Sequence, residues 1–194
     1  MRPLPKLNTK TLDALFAWCQ GVEKIRDEDR SEVAQLTMLA QPNRILASEI
    51  APIGNVGAGE DNLMQYTIPN GVLAKDGYYL VIEGSFTTAA NANNKTLKAK
   101  LGSTTLFDSG AVALNNKSIV VRCVIIRTGA AAESCYVAMN SNDGTLGCSG
   151  LFTSATESLA SSVVFKFTGE ATSNNDIVQK TMTMTWYPAN IENA

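Results

Sequence analysis

The 194-residue chain contains no histidine. That absence excludes Ser-His-Asp and Cys-His nucleophilic sites, imidazole general bases and every zinc or iron centre that needs an imidazole ligand. Carboxylate pairs, lysine, tyrosine, Ser-Lys pairs and thiolates remain as possible chemistry. The four cysteines, Cys19, Cys123, Cys135 and Cys148, show no CxxC spacing, so a metal site would need distant thiolates alone; buried free thiols are the expectation, with no metal and no cofactor. No apolar run is long enough to cross a bilayer. The start, Met1-Arg2-Pro3-Leu4-Pro5-Lys6, leads into mixed polar sequence rather than an apolar signal core. The expectation is a protein made and kept in the cytosol until assembly, without membrane insertion. Nor is there an excess of positive charge: 16 Lys+Arg stand against 18 Asp+Glu, a formal charge of −2. Phosphate neutralisation is the usual source of nucleic-acid affinity, so nucleic acid is not expected as a partner.

What is present divides into two textures. From Thr9 to Ala40 the pattern is helical, ending where Pro42 and Asn43 interrupt it. Leu12, Leu15, Cys19 and Val22 fall at heptad a/d spacing, and Val33, Leu36 and Ala40 resume the register after the charged run Lys24 to Arg30. Phe16 and Trp18 add apolar surface off that stripe. One reading is a pair of amphipathic helices packed on their own domain; the other is an oligomerisation or docking arm over 1–44, with Leu12, Leu15 and Val22 in an oligomer interface and Phe16 and Trp18 docking on a neighbouring protein.

From Ile45 onward the residues are Gly, Asn, Thr, Ser and alternating apolar side chains. In Thr96 to Leu101, the side chains of Leu97, Ala99 and Leu101 share one face and Lys98 and Lys100 take the other, solvated one. Val163, Phe165 and Phe167 repeat the period of two, as do Met182, Met184 and Trp186 against Thr181, Thr183 and Thr185. Further runs are Asn62 to Ile68, Tyr78 to Phe86, Thr104 to Phe107, Ile119 to Arg127 and Cys135 to Met139. Turn signals stand at Asn70-Gly71, Asp76-Gly77, Asn115-Asn116, Asp143-Gly144 and Asn174-Asn175. About eight short strands with no helix between them predict a mainly β domain over 45–194: two antiparallel sheets in a jelly-roll-like or other Greek-key sandwich, preceded by the helical arm. One strand breaks the alternation. In Ile119 to Ile126, the outward set Val120, Val124 and Ile126 is almost as apolar as the inward set, which predicts cover by a loop or another subunit and favours an oligomer.

Several segments imitate sites. Leu106-Phe107-Asp108-Ser109-Gly110-Ala111 matches the Asp-Ser/Thr-Gly loop of aspartic proteases, whose chemistry would require a two-fold dimer sharing a proton between two aspartates. Ile125-Ile126-Arg127-Thr128-Gly129 does not match the supporting segment such enzymes need, so a strand end and turn is the plainer reading. Gly54 to Asp61 has the wrong glycine order for a phosphate loop and no following lysine. Asn140 to Gly144 would place Met139 as the first ligand of a calcium loop, which makes an ordinary turn the better account. Asn94-Lys95-Thr96 and Asn116-Lys117-Ser118 fit the glycosylation sequon, which has no meaning without a secretory signal.

Four segments in order carry a resemblance: Asn55 to Met64 with Tyr66-Thr67-Ile68-Pro69, Ala89 to Lys98, Leu106 to Ala111, and Ile126-Arg127-Thr128-Gly129. Together they resemble a β-sandwich module of tailed-bacteriophage virion surface proteins, over the chain from about Ile45 to Tyr187. The resemblance implies a virion protein that is oligomeric, often trimeric, and without catalytic residues, partnered by other virion proteins of the capsid, collar or tail. Two non-enzymatic readings follow. The protein decorates the capsid or forms a head fibre, held by its N-terminal arm, or it is a short tail fibre whose Asn-, Thr- and Ser-rich loops bind a host surface glycan. A dimeric aspartic protease is the remote alternative.

Overall fold

A computed structural model describes residues 43–144 and 147–189 of the chain. The helical arm, with Leu12, Leu15, Phe16, Trp18 and Val22, lies outside the described residues. Among the described residues there are twelve strands and no helix: β1 Arg44–Glu49, β2 Ile53–Gly54, β3 Gly59–Ile68, β4 Tyr79–Thr88, β5 Asn94–Leu101, β6 Thr104–Asp108, β7 Val112–Ala113, β8 Ser118–Gly129, β9 Ala132–Ser141, β10 Gly147–Ala155, β11 Val163–Ala171 and β12 Ile177–Tyr187. They form two antiparallel sheets. The larger has the order β1-β12-β4-β8-β9-β10, with β2 added to β12; the smaller runs β3-β11-β5-β6, with β7 added to β5. The expected two-sheet sandwich is therefore observed, with four more strands than the alternation announces: β1, β2, β7 and β10.

The core forms because period-two segments from both sheets turn their apolar sides to one another. Leu97, Ala99 and Leu101 of β5 and Val163, Phe165 and Phe167 of β11 are buried from the smaller sheet. Leu80, Ile82 and Phe86 of β4, Ile119, Val121, Cys123 and Ile125 of β8, and Met182 and Met184 of β12 face them from the larger. Phe167 meets Phe86 and Phe165 edge-on, with ring centroids 5.2 and 5.1 Å apart. That cluster needs a missing side chain: Gly84 lies inward between Ile82 and Phe86, and a Cβ there would come within 2.8 Å of the Phe167 ring. Lys98 and Lys100 depart from expectation. Both are half-buried rather than solvated, because Glu60 at the start of β3 reaches across β11 to pair with them.

The five turn signals all mark turns that use the left-handed region. Gly71, Gly77, Asn116, Gly144 and Asn175, the second residue of each signal, have φ of 86°, 84°, 51°, 71° and 59°. No helix among the described residues is long and apolar enough to cross a membrane.

Candidate functional site

One end of the sandwich is fastened by buried polar side chains. Asn55 is fully buried and works like a backbone segment: its N donates to the Ile177 carbonyl at 3.1 Å, its Oδ1 accepts from the Ile177 N at 2.9 Å, and its Nδ2 donates to the Ser173 carbonyl at 3.0 Å. Asp176 accepts from Asn91 Nδ2 at 2.6 Å, from Asn93 Nδ2 at 2.8 Å and from the Ser173 N at 3.1 Å. The Lys95 side chain, 0% exposed, places its ammonium 2.8 Å from Asn91 Oδ1 and 3.0 Å from the Asn93 carbonyl. Burial lowers the Lys95 pKa and the Asp176 charge partly restores it. Asp176 is held below its usual range by the Asn93 and Asn91 amides, although burial opposes them. The ammonium thus ties the 89–95 loop as a bound cation would, with the loop's own oxygens as its ligands. Nearby, Ser109 N donates to the Leu97 carbonyl at 3.0 Å and Leu97 N donates to Ser109 Oγ at 2.9 Å. Three of the four segments that resemble phage modules, those containing Asn55, Asn91 to Lys95 and Ser109, therefore meet at this end and serve to lock its loops.

The outer face of the larger sheet carries the remaining distinctive surface, and cross-strand register sorts it into rows. Ile45, Thr185, Val81, Val124, Tyr136 and Phe152 stand opposite one another in succession across six strands. Ile45 is 69% and Phe152 75% exposed, and the Tyr136 and Phe152 rings lie 5.1 Å apart. The next row toward one end holds Tyr187, Tyr79 and Ile126, with the two tyrosines stacked at 4.7 Å. Toward the other end comes a charged row in which Arg122 faces Glu83 at 3.8 Å. Beyond it, at the loop end, stand Thr181, Ser85, Val120 and Asn140, then Thr87 and Ser118. The three outward residues of β8 named from the sequence are thus divided: Val124 and Ile126 belong to the apolar rows, and Val120 lies across the Arg122–Glu83 pair among polar neighbours.

Around Val120 the surface dips into an open depression of about 390 Å³ lined by Ser85, Thr87, Ser118, Val120, Asn140 and Lys180, among others. Its shape depends on a β-bulge. Gln179 pairs with Phe86 and Thr181 with the next residue, Ser85, so Lys180 is an extra residue on β12. Gln179 and Met182 both point inward, which leaves Lys180 and Thr181 together on the outer face. The Thr181 hydroxyl bonds Ser85 Oγ at 2.6 Å. Among the described residues, the side chains of Lys180, Asn140, Thr87 and Ser118 have no hydrogen-bond or ion-pair partner. Lys117, close by, is different: its ammonium is paired with Asp143. Sequence reasoning missed this site because Ser, Thr and Asn are default turn and surface residues. The available signal was the break in alternation at Lys180-Thr181.

The imitation sites resolve into local structure. Asp108 Oδ1 accepts from the Gly110 N at 2.8 Å and its other oxygen lies 3.7 Å from Lys98 Nζ, so the carboxylate closes its own turn. In the Gly54 to Asp61 loop, the Val56 N donates to Asp61 Oδ2 at 2.7 Å, so the loop's own acid fills the place of an anion. Asp143 accepts from Ser141 Oγ at 2.9 Å and pairs with Lys117. Cys123 and Cys135 are buried and free, as expected. Burial pushes both thiols up, Cys135 to about 12, which makes them poor nucleophiles at neutral pH. No group of three or more metal-ligating side chains occurs among the described residues.

The class these observations define is an antiparallel two-sheet β-sandwich. No family model and no curated protein matches the chain. Among solved structures, the CBM2 module of the evolved Dit of Lactobacillus casei BL23 phage J-1 aligns with a TM-score of 0.42 and 9% identity, covering 77% of this chain and 98% of that one. Lectin UEA-II complexed with galactose aligns with a TM-score of 0.34 and 10% identity, over 75% and 92% of the two chains. The infectious bursal disease virus VP2 subviral particle aligns with a TM-score of 0.27 and 13% identity, over 78% of this chain and 43% of that one. At such scores no argument about function rests on them.

Proposed function

We propose that this protein is a non-enzymatic surface module of a tailed-bacteriophage virion, an oligomer of the capsid-decoration or head-fibre kind, attached through the segment before Ile45. The observation that carries the reading is the part played by the resembling segments. Three of the four lock the loop end of the sandwich through Asn55, Asn91 to Lys95 and Ser109, which supports reading the shared pattern as a signature of the module's fold rather than a chance run of Gly and Asn. The apolar row from Ile45 to Phe152 supports the oligomer, because a sheet face of that composition loses free energy of hydration when a second copy covers it. Val124 is its member on β8, Ile126 stands in the adjoining row with Tyr79 and Tyr187 and Val120 lies outside both, and the Leu12, Leu15 and Val22 stripe supplies the rest of the trimer contact. Phe16 and Trp18 dock on a neighbouring virion protein.

Immunogold labelling of intact particles with antibodies against the sandwich tests the location. Label on the head supports the reading; label on the tail favours a short fibre instead; a particle without the protein overturns both. Deleting residues 1–40 separates the two halves of the chain: the truncated sandwich is expected to keep β-type circular dichroism and cooperative melting while failing to co-purify with particles.

A further inference from the structure

We infer that the depression around Val120 is a binding site for an anionic saccharide, with Lys180 as the residue that receives the acid group. Four observations converge on it. The bulge in β12 projects an additional side chain onto the outer face at this point, and the side chain it projects is a lysine. That ammonium has no carboxylate partner among the described residues, whereas Lys117 nearby is neutralised by Asp143 and Lys98 and Lys100 share Glu60. Side chains of Thr87, Ser118 and Asn140 offer free hydroxyl and amide groups around the same space, the mixed donors and acceptors that sugar hydroxyls require. Val120, 52% exposed, supplies an apolar patch for the C–H side of a pyranose.

The charge of the ligand follows from the charge of the site. Among the described residues lining the depression, Lys180 is the ionised side chain, so an acidic sugar has a charge to pair with there and a neutral one does not gain that pair. At about 390 Å³ the space lies at the lower end of the roughly 300–1,000 Å³ typical of small-molecule sites, which suits one or two sugar rings. The platform is stiff, because Thr87 and Ser118 sit at the strand ends fastened by the Thr88 N to Lys117 carbonyl bond of 2.9 Å and the Ala89 N to Asp176 carbonyl bond of 2.9 Å. The site is also independent of the apolar row. Val120 and Val124 are four residues apart on β8, about 13 Å along the strand.

Saturation-transfer NMR on the full chain tests the inference with three probes: cellobiuronic acid, its neutral counterpart cellobiose, and glucose 6-phosphate. Saturation of either acidic probe, with cellobiose at least about tenfold weaker, is the expected result and tells a carboxylate from a phosphate ligand. Lys180→Ala should weaken the acidic probe about tenfold, the value of one charge-assisted hydrogen bond. Arg122→Ala, one row away on the same face, should leave it unchanged. The inference is overturned if neither acidic probe takes up saturation at about 20 mM, well above a weak millimolar Kd. It is equally overturned if cellobiose matches cellobiuronic acid, if Lys180→Ala binds as the unmodified protein does, or if Arg122→Ala loses binding to the same extent.

Discussion

Lys95 and Glu60 show how far a single ionised residue can be read from its surroundings. A lysine ammonium at 0% exposure survives inside the protein only because Asn91 and Asn93 solvate it and Asp176 lies close enough to raise its pKa again. Lys95→Met keeps the volume, removes the cation and leaves the Asn91 and Asn93 oxygens without their donor. Denaturant unfolding should show a loss of about 3 kcal/mol, the low end for breaking a buried charged network. An unchanged midpoint would mean the loops hold themselves. Glu60 acts through titration. Hydrogen bonds from Lys100 and then Lys98 lower its pKa from 4.5 to about 2 in the folded protein. Its folded pKa is depressed, so its contribution is fully present above pH 4.5 and disappears as the pH falls through about 2. Melting temperatures of the protein and of Glu60→Gln should converge on acidification through that window; parallel curves would show that the pair carries no stability. Neither role was visible in the sequence, where Lys95 is one residue of a sequon and Lys98 and Lys100 look like an exposed polar face. Long-range partners such as Asp176 and Glu60 are set by tertiary register, to which local periodicity is blind.

Strands were legible where their two faces differ. β5, β11 and β12 alternate over Leu97 to Leu101, Val163 to Phe167 and Met182 to Trp186, and the inward residues Leu97, Phe165 and Met184 are buried as the pattern requires. Edge strands lack that contrast. β1 opens with an exposed Ile45 and a half-buried Leu46, and β10 sets Leu151 beside Phe152 just after a register shift that follows Cys148. Both border the larger sheet, where one side of the ladder is unpaired and neither side chain need alternate. The bulge on β12 gives a sharper test at this scale. Deleting Lys180 restores a perfect alternation of Ile177, Gln179, Met182 and Met184 inward, so the shortened protein should keep cooperative melting and β-type circular dichroism. Deleting Thr183 instead turns Met184 outward and Thr185 inward, and should abolish the cooperative transition. If both deletions behave alike, the extra residue is not an insertion in the ladder.

At the scale of the molecule, the distribution of apolar surface matters more than its amount. The seven-stranded sheet turns one face to the core and, on the other, sets Ile45, Thr185, Val81, Val124, Tyr136 and Phe152 in a line, with the charged Arg122–Glu83 row beside it. Scattered exposed apolar residues are ordinary, but a line across six strands is a contiguous patch, and sequence inspection could see only its β8 members because the others join through register. If a second copy covers that line, light scattering should return a multiple of the 20.7 kDa chain mass, three times for the proposed trimer. Phe152→Ser is the informative variant. At 75% exposure its ring contributes little to the fold of one subunit, so a fall in assembled mass with an unchanged circular dichroism spectrum would locate the interface on this face. Val124→Asp should act more strongly, because it would bury a carboxylate opposite Val81 and Tyr136 with no cation to meet it. A chain that is monomeric at micromolar concentration before any substitution would remove the oligomer, and an oligomer indifferent to both variants would move the interface away from the outer sheet and onto the segment before Ile45.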